Sequence, residues 1–231
     1  MRTFPHELAR PRLQDMGEIP SFQRARKPEE RELRRETILA AAAELFDAEG
    51  PQGAGLNAIA AKAGFTKSNV YRYFESREDV LLSLFLAELE QFIPALEQRF
   101  SGIAPGDLDA VAAAIAAGFI GRPRLASLSA IVSTTLEQNI SEQAVMALKR
   151  GMAALLGRAA AVIQTRLPGS TLEDCAWLVS MVGTLVAGMW PAANPSDTAR
   201  RVLAMEEFAH LKPSLERDLE RATRALLASI V

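Results

Sequence analysis

The chain has 231 residues, enough to bury a sizeable core in one domain or two small ones. Its 26 Lys+Arg stand against 28 Asp+Glu, a net charge of −2, so overall charge does not point to a polyanionic partner. A single cysteine excludes an internal disulfide and suits a reducing cytoplasm.

No N-terminal apolar run resembles a signal peptide, which adds to the expectation of a cytoplasmic protein. Alanine is abundant, β-branched runs are short, and Gly and Pro fall between periodic segments; this predicts an all-α chain. Residues 1–77 hold 13 Lys+Arg and 11 Asp+Glu, whereas the remainder holds 13 and 17. That asymmetry weakly favours a nucleic-acid-facing N-terminal end.

Residues 1–28 contain four prolines and no hydrophobic period, and read as a disordered arm. The arm carries Arg2, Arg10, Arg12, Arg24, Arg26 and Lys27 against three acids, so it is either a solvated tail or a basic arm reaching DNA. A first helix is predicted from Pro28, with Glu29 and Glu30 at its positive end. Ile38, Ala42, Leu45 and Phe46 form its core stripe, and Gly50-Pro51 stops it.

Gly55 to Arg77 reads as two short helices, a tight turn, and the start of a third helix. Leu56, Ile59 and Ala60 recur at helical spacing up to Ala63, and Gly64 allows the left-handed backbone that reverses the chain. Thr66 sits where an N-cap belongs. The next helix, predicted over Lys67 to Phe74, sets Val70 and Phe74 on one side. Lys67, Ser68, Asn69, Tyr71, Arg72 and Tyr73 lie on the other, and no acid occurs between Lys62 and Phe74. One face packs; the other offers donors for base edges and phosphates. Short helix, Gly turn, polar helix is the order of a helix-turn-helix.

Ser76 with Asp79 starts a long helix through Val80, Leu81, Leu84, Phe85, Leu89 and Phe92, which Pro94 is expected to kink or end. Further helices are predicted from Asp107 to about Gly121, from Arg122-Pro123 to about Gln138, and from Asn139 to about Leu167. Thr171 with Asp174 opens one that Pro191 ends near Trp190. A shorter helix follows over Ser196–Glu207, and a last one after Pro213. Residues 175–196 carry no charge, but Ser180, Gly183, Thr184, Gly188 and Pro191 dilute them, so a buried helix is expected and no membrane span. Ala176, Ser180, Gly183 and Ala187 form one stripe of this helix; Trp177, Met181, Leu185 and Met189 lie roughly opposite.

The N-terminal run resembles the DNA-binding domain of the tetracycline-repressor-like (TetR) family of bacterial transcription regulators. The resembling residues are Ile38, Ala42, Phe46, Gly50, Leu56, Ile59, Ala60, Ala63-Gly64-Phe65-Thr66-Lys67, Val70-Tyr71-Arg72-Tyr73-Phe74, Ser76 and Val80-Leu81. The resemblance implies a three-helix DNA-binding domain over 29–76 and a helical ligand-binding and dimerisation domain over 77–231. It implies DNA contacts by Thr66, Lys67, Asn69, Tyr71 and Tyr73, with Tyr73 and Arg77 on phosphates. Gly55 stands where the family usually has a capping Thr or Ser, and Glu75 where Lys is common. The small stripe of the uncharged helix fits the pairing of two subunits that the resemblance implies; intrachain packing of the same stripe is the alternative.

No catalytic or metal-ligating pattern is visible: His6 and His210 are isolated, and Cys175 opens an apolar helix. No cofactor is expected. The leading reading is a repressor that binds operator DNA as a homodimer and leaves it when an apolar small molecule binds. Candidate pocket residues are Phe92, Phe119, Ile131, Thr135, Met152, Leu156, Trp177, Met181, Met189 and Trp190, all equally able to be core. The alternative is a helical small-molecule-binding or scaffolding protein with a degenerate helix-turn-helix.

Overall fold

The computed structural model describes residues 28–231, so the basic arm read over 1–28 lies, but for Pro28, outside the described residues. Within them every regular element is helical. The helices are α1 (Pro28–Gly53), α2 (Leu56–Lys62), α3 (Lys67–Val70), α4 (Arg77–Phe100), α5 (Leu108–Ile120), α6 (Pro123–Ile131), α7 (Glu142–Gln164), α8 (Leu172–Ala193), α9 (Asp197–Leu203) and α10 (Leu215–Ala228).

The first three helices make a small reader. Gly50 breaks α1 with φ 69°, leaving one further turn, Pro51–Gly53. Ile38, Ala42 and Phe46 of α1 meet Ile59 and Ala60 of α2 and Val70 of α3 in one buried cluster that Phe74 closes. α4 then leads away into the body. There α5 packs on α10, α7 on α8 and α4, and α6 on α8. The start of α4 is capped by Ser76, whose Oγ accepts from the Asp79 amide at 3.1 Å, while Asp79 accepts from the Glu75 amide at 2.9 Å.

Several boundaries differ from the sequence reading. α3 ends at Val70, not Phe74; Tyr71–Tyr73 form a tighter turn in which Arg72 and Tyr73 donate three residues back, to Asn69 and Val70. Pro94 does not end α4, which continues to Phe100, and α8 runs past Pro191 to Ala193. Both prolines are exposed, so the carbonyl each leaves without an amide lies toward water. α6 gives way at Val132–Leu136 to a π-helical turn and then a 3-10 turn to Asn139. Ser129 and Thr134 hydroxyls there bond to carbonyls four residues back, competing with the backbone. Asn139 is thereby spent closing this segment, and Ser141 caps α7 instead. α9 stops at Leu203, and Glu206–Leu211 is a 3-10 segment.

Helix α8, uncharged from Cys175 on, is also not buried all round. It is long and apolar enough to cross a membrane, yet here it packs against α6, α7 and α10 through Cys175, Leu178, Val182 and Val186. Its other side, Trp177, Ser180, Thr184 and Gly188, faces solvent. That line runs between the two stripes drawn from the sequence. Helical period gives the stripes, but only the neighbours decide which one turns inward.

Candidate DNA interface

The turn between α2 and α3 is built locally. Gly64 takes φ 72°, Phe65 donates to the Ala60 carbonyl at 2.8 Å and Gly64 to that of Ala61 at 3.1 Å, which satisfies the last carbonyls of α2. Thr66 Oγ1 then accepts from the Asn69 amide at 3.3 Å and starts α3. Val70 and Phe74 point inward and are almost fully buried. Lys67, Ser68, Tyr71 and Arg72 are exposed, and Asn69 and Tyr73 half-exposed. Lys67 Nζ lies 5.8 Å from the Tyr71 ring centroid. Neither Lys67 nor Arg72 has an acid partner among the described residues. The face is therefore cationic, rich in donors and free to meet an anion.

Two arginines fix this face in place. Arg35, on α1, lies 4.4 Å over the Phe74 ring, donates to Ser83 Oγ at 2.8 Å and reaches the Tyr73 carbonyl at 3.4 Å. No local spacing marks it, because its partners lie 38 to 48 residues away. Arg77 donates through Nε to the Ala54 carbonyl at 3.0 Å, and through its terminal nitrogens to the Pro51 carbonyl and Glu78. Its guanidinium thus ties α4 to the end of α1 rather than standing on the exposed face with Lys67. Gly55 begins α2 without a side-chain cap, and nothing lies within 4 Å of where its Cβ would be. Beneath the reader, burial pushes the Asp79 carboxyl up, against the downward pull of the Glu75 amide and Arg35.

The pocket candidates separate into three environments. Phe92 and Phe119 are buried and pack on each other, ring centroids 4.6 Å apart. Ile131, Met152, Leu156, Met181, Met189 and Trp190 are half-buried, whereas Thr135 and Trp177 are exposed. Only Phe92 and Trp190 of the ten border the clefts along α4. One, about 480 Å³, joins Phe46, Glu88, Arg122, Arg124 and Trp190; the other, about 340 Å³, joins Phe92, Leu96, Arg99 and Gly118.

Residues 38–84 match the family model for bacterial regulatory proteins of the tetR family, and residues 86–229 that for the tetracyclin repressor-like C-terminal domain. The fatty acid metabolism regulator protein of Bacillus subtilis (strain 168) is 36% identical over 61 residues, 26% of this chain and 31% of that protein. The chain thus matches about a third of that relative's length. Among solved structures, a TetR transcriptional regulator from Rhodococcus sp. RHA1 superposes with TM-score 0.54 at 18% identity, covering 88% of this chain and 99% of that one. The fatty acid degradation regulator FadR from Bacillus halodurans gives 0.53 at 15% identity, over 85% and 99%. At such identities the two structures speak for the fold, and the family matches, spanning reader and body, place the chain in the TetR family of bacterial transcription regulators.

Proposed function

We propose that the protein is a homodimeric repressor, working in the cytoplasm, that reads a roughly palindromic operator with α3 and releases it when an apolar small molecule enters the body. Residues 29–76 are the reader and 77–231 the ligand-binding and dimerisation part. The observation that carries the reading is the outward face of α3 and of the turn after it. Lys67 and Arg72 have no acid partner among the described residues, on a segment that the Thr66 cap starts and that Arg35 ties to α1 through the Tyr73 carbonyl and the Phe74 ring. Lys67 and Asn69 face base edges, helped by Ser68 and Arg72. Thr66, Tyr71, Tyr73 and the backbone at Gly55 meet phosphates. Arg77 acts at one remove, by holding the start of α4 against the α1–α2 loop. The protein acts by binding and carries out no catalysis.

A homodimer forms through the exposed side of α8 and through α10. Two copies of α3 then stand about one DNA turn apart, roughly 34–36 Å, as successive major grooves require. The ligand enters among α4, α5, α6, α7 and α8, where Phe92, Phe119, Ile131, Met152, Leu156, Met181, Met189 and Trp190 give adaptable apolar cover. Phe92 and Phe119 fill each other's space, so a guest displaces one of them. Thr135 and Trp177 are both exposed; Trp177 turns toward the partner subunit. The ligand must favour the conformation whose readers are wrongly spaced, since equal affinity for both shifts nothing.

The test is selection of binding sites from random DNA with the full chain. Two half-sites with centres about one helical turn apart support the reading; enrichment of unrelated sequences contradicts it. Two of the similar proteins are fatty-acid regulators by name, so long-chain acyl compounds are the first ligand probes. A probe that raises the melting temperature and releases the selected DNA supports the ligand arm. One that stabilises the protein and leaves DNA bound is a bystander.

A further inference from the structure

Two polar ties cross from the reader to the body without running along α4. At the end of α1, both carboxylate oxygens of Asp47 accept from Arg124, Nε to Oδ1 at 2.8 Å and the second from Nη2. The remaining nitrogen, Nη1, donates to Glu88 Oε1 at 2.6 Å. Glu88 is only 6% exposed, so Arg124 is pinned at the start of α6 between α1 and α4. A two-pronged arginine–carboxylate pair fixes direction as well as distance. The hydrogen bond to Asp47, above all, drives the Arg124 pKa still higher than its ordinary value.

The second tie leaves the other side of the reader. Glu75 lies between Phe74, the last core residue of the reader, and Ser76, the cap of α4. Its Oε2 accepts from Ser141 Oγ at 2.7 Å, and Ser141 at the same time caps α7 by accepting from the Ala144 amide at 3.2 Å. Arg124 and Ser141 are the two ends of one nearly continuous helical stretch. At about 1.5 Å per residue it separates them by roughly 25 Å. A single attachment leaves the reader free to swing about it, whereas two so far apart set an angle.

We infer that Arg124 and Ser141 are positioning residues of the DNA reader, holding its angle to the body through Asp47 and Glu75. The inference deepens the regulator reading and takes its functional meaning from it. Asp47 and Glu75 are exposed side chains, and exposed ion pairs and hydrogen bonds add little to stability. The ties therefore govern orientation and can be broken without unfolding. A body helix that shifts α6 or the head of α7 re-aims α3 even if α4 stays straight.

The test reads orientation directly and uses no DNA. The full chain, with Cys175→Ala, carries spin labels at Glu32→Cys on α1 and Ala161→Cys on α7, diluted with excess unlabelled protein so that only distances within one chain are read. Electron–electron double resonance should give one narrow distance peak. Asp47→Ala and Glu75→Ala should each broaden it, and the pair together should abolish it, while helix content and melting temperature stay unchanged. Asp47→Ala leaves Arg124 paired with Glu88, so no charge is stranded. If the double variant loses helix, the two single variants decide by the same criterion. A narrow, unshifted peak in these variants overturns the inference. A protein with intact ties that binds no specific DNA counts against the regulator reading and leaves this one standing.

Discussion

α3 and α8 both turn a face to water, and the two faces have opposite chemistry. That of α3 and the turn after it offers Lys67, Ser68, Tyr71 and Arg72 within six residues. That of α8 offers Trp177, Ser180, Thr184 and Gly188, and residues 175–196 hold no charge at all. A donor-rich cationic face is well hydrated alone and gains only from a polyanion, by releasing its counterions. A neutral face of small residues under an exposed indole has little to offer an anion and much to offer a close-fitting helix. At Gly183 and Gly188 nothing lies within 4 Å of where a Cβ would stand, so the chain itself leaves that face open. Exposure is common to both helices; what each exposes is what assigns one to DNA and the other to a partner subunit in the proposed function.

The largest effect expected is from Phe74→Ala. Phe74 is 1% exposed, and truncating a buried Phe costs about 3–5 kcal/mol. It also removes the ring under Arg35. Urea unfolding should show that loss, and DNA binding should fail while light scattering still reports a dimer. Loss of both together would mean that the two faces are not independent.

Gly183→Leu attacks the other face. The open space predicts that a monomer tolerates the side chain, while a second copy of α8 meets it as overpacking worth about 1–3 kcal/mol. Sedimentation should show a weakened dimer with unchanged helix content. A dimer of unchanged affinity would move the interface elsewhere. Lys67→Ala should cost about 1–3 kcal/mol in specific affinity if its contact is to a base, whereas Tyr73→Phe should weaken all sequences alike.

These partners differ in how far the sequence announced them. The caps were legible because a cap is a local event: Thr66, Ser76, Asp107 and Thr171 each accept from the amide three residues on, as their spacing implies. The apolar spacing of the reader helices likewise pointed to its core of Ile38, Ala42, Phe46, Ile59, Val70 and Phe74. Long-range polar partners were not legible. Arg77 was read as a phosphate contact because its position resembles one, and its guanidinium is found on the carbonyls of Pro51, in the last turn of α1, and of Ala54, just beyond it. Arg35 and Arg124 look like any surface arginine until the fold brings Phe74 and Asp47 to them. Pro94 was read as a kink or an end, and Pro191 as a stop, because the sequence does not say that they face water. Asn139 and Ser141 are equally good caps by type; the π-helical turn before them selects Ser141.

The smallest effects concern the reader's caps. Thr66→Ala should cost about 1 kcal/mol. Gly55 has φ −74°, which any residue adopts, and open space for a side chain. Gly55→Ser should therefore stabilise the reader by a few tenths of a kcal/mol, roughly the difference between these caps. Thermal melts resolve the first readily and the second only in parallel.

The most direct test of the central claim is fluorescence anisotropy of the full chain, at moderate salt, on a site selected from random DNA and on bulk DNA of the same length. Binding to the selected site should be tighter by at least about a thousandfold, the usual gap between specific and non-specific complexes, and the gap should narrow for Lys67→Ala. Equal binding of both DNAs, or a gap that Lys67→Ala leaves untouched, would contradict the assignment of the α3 face as the reader of sequence.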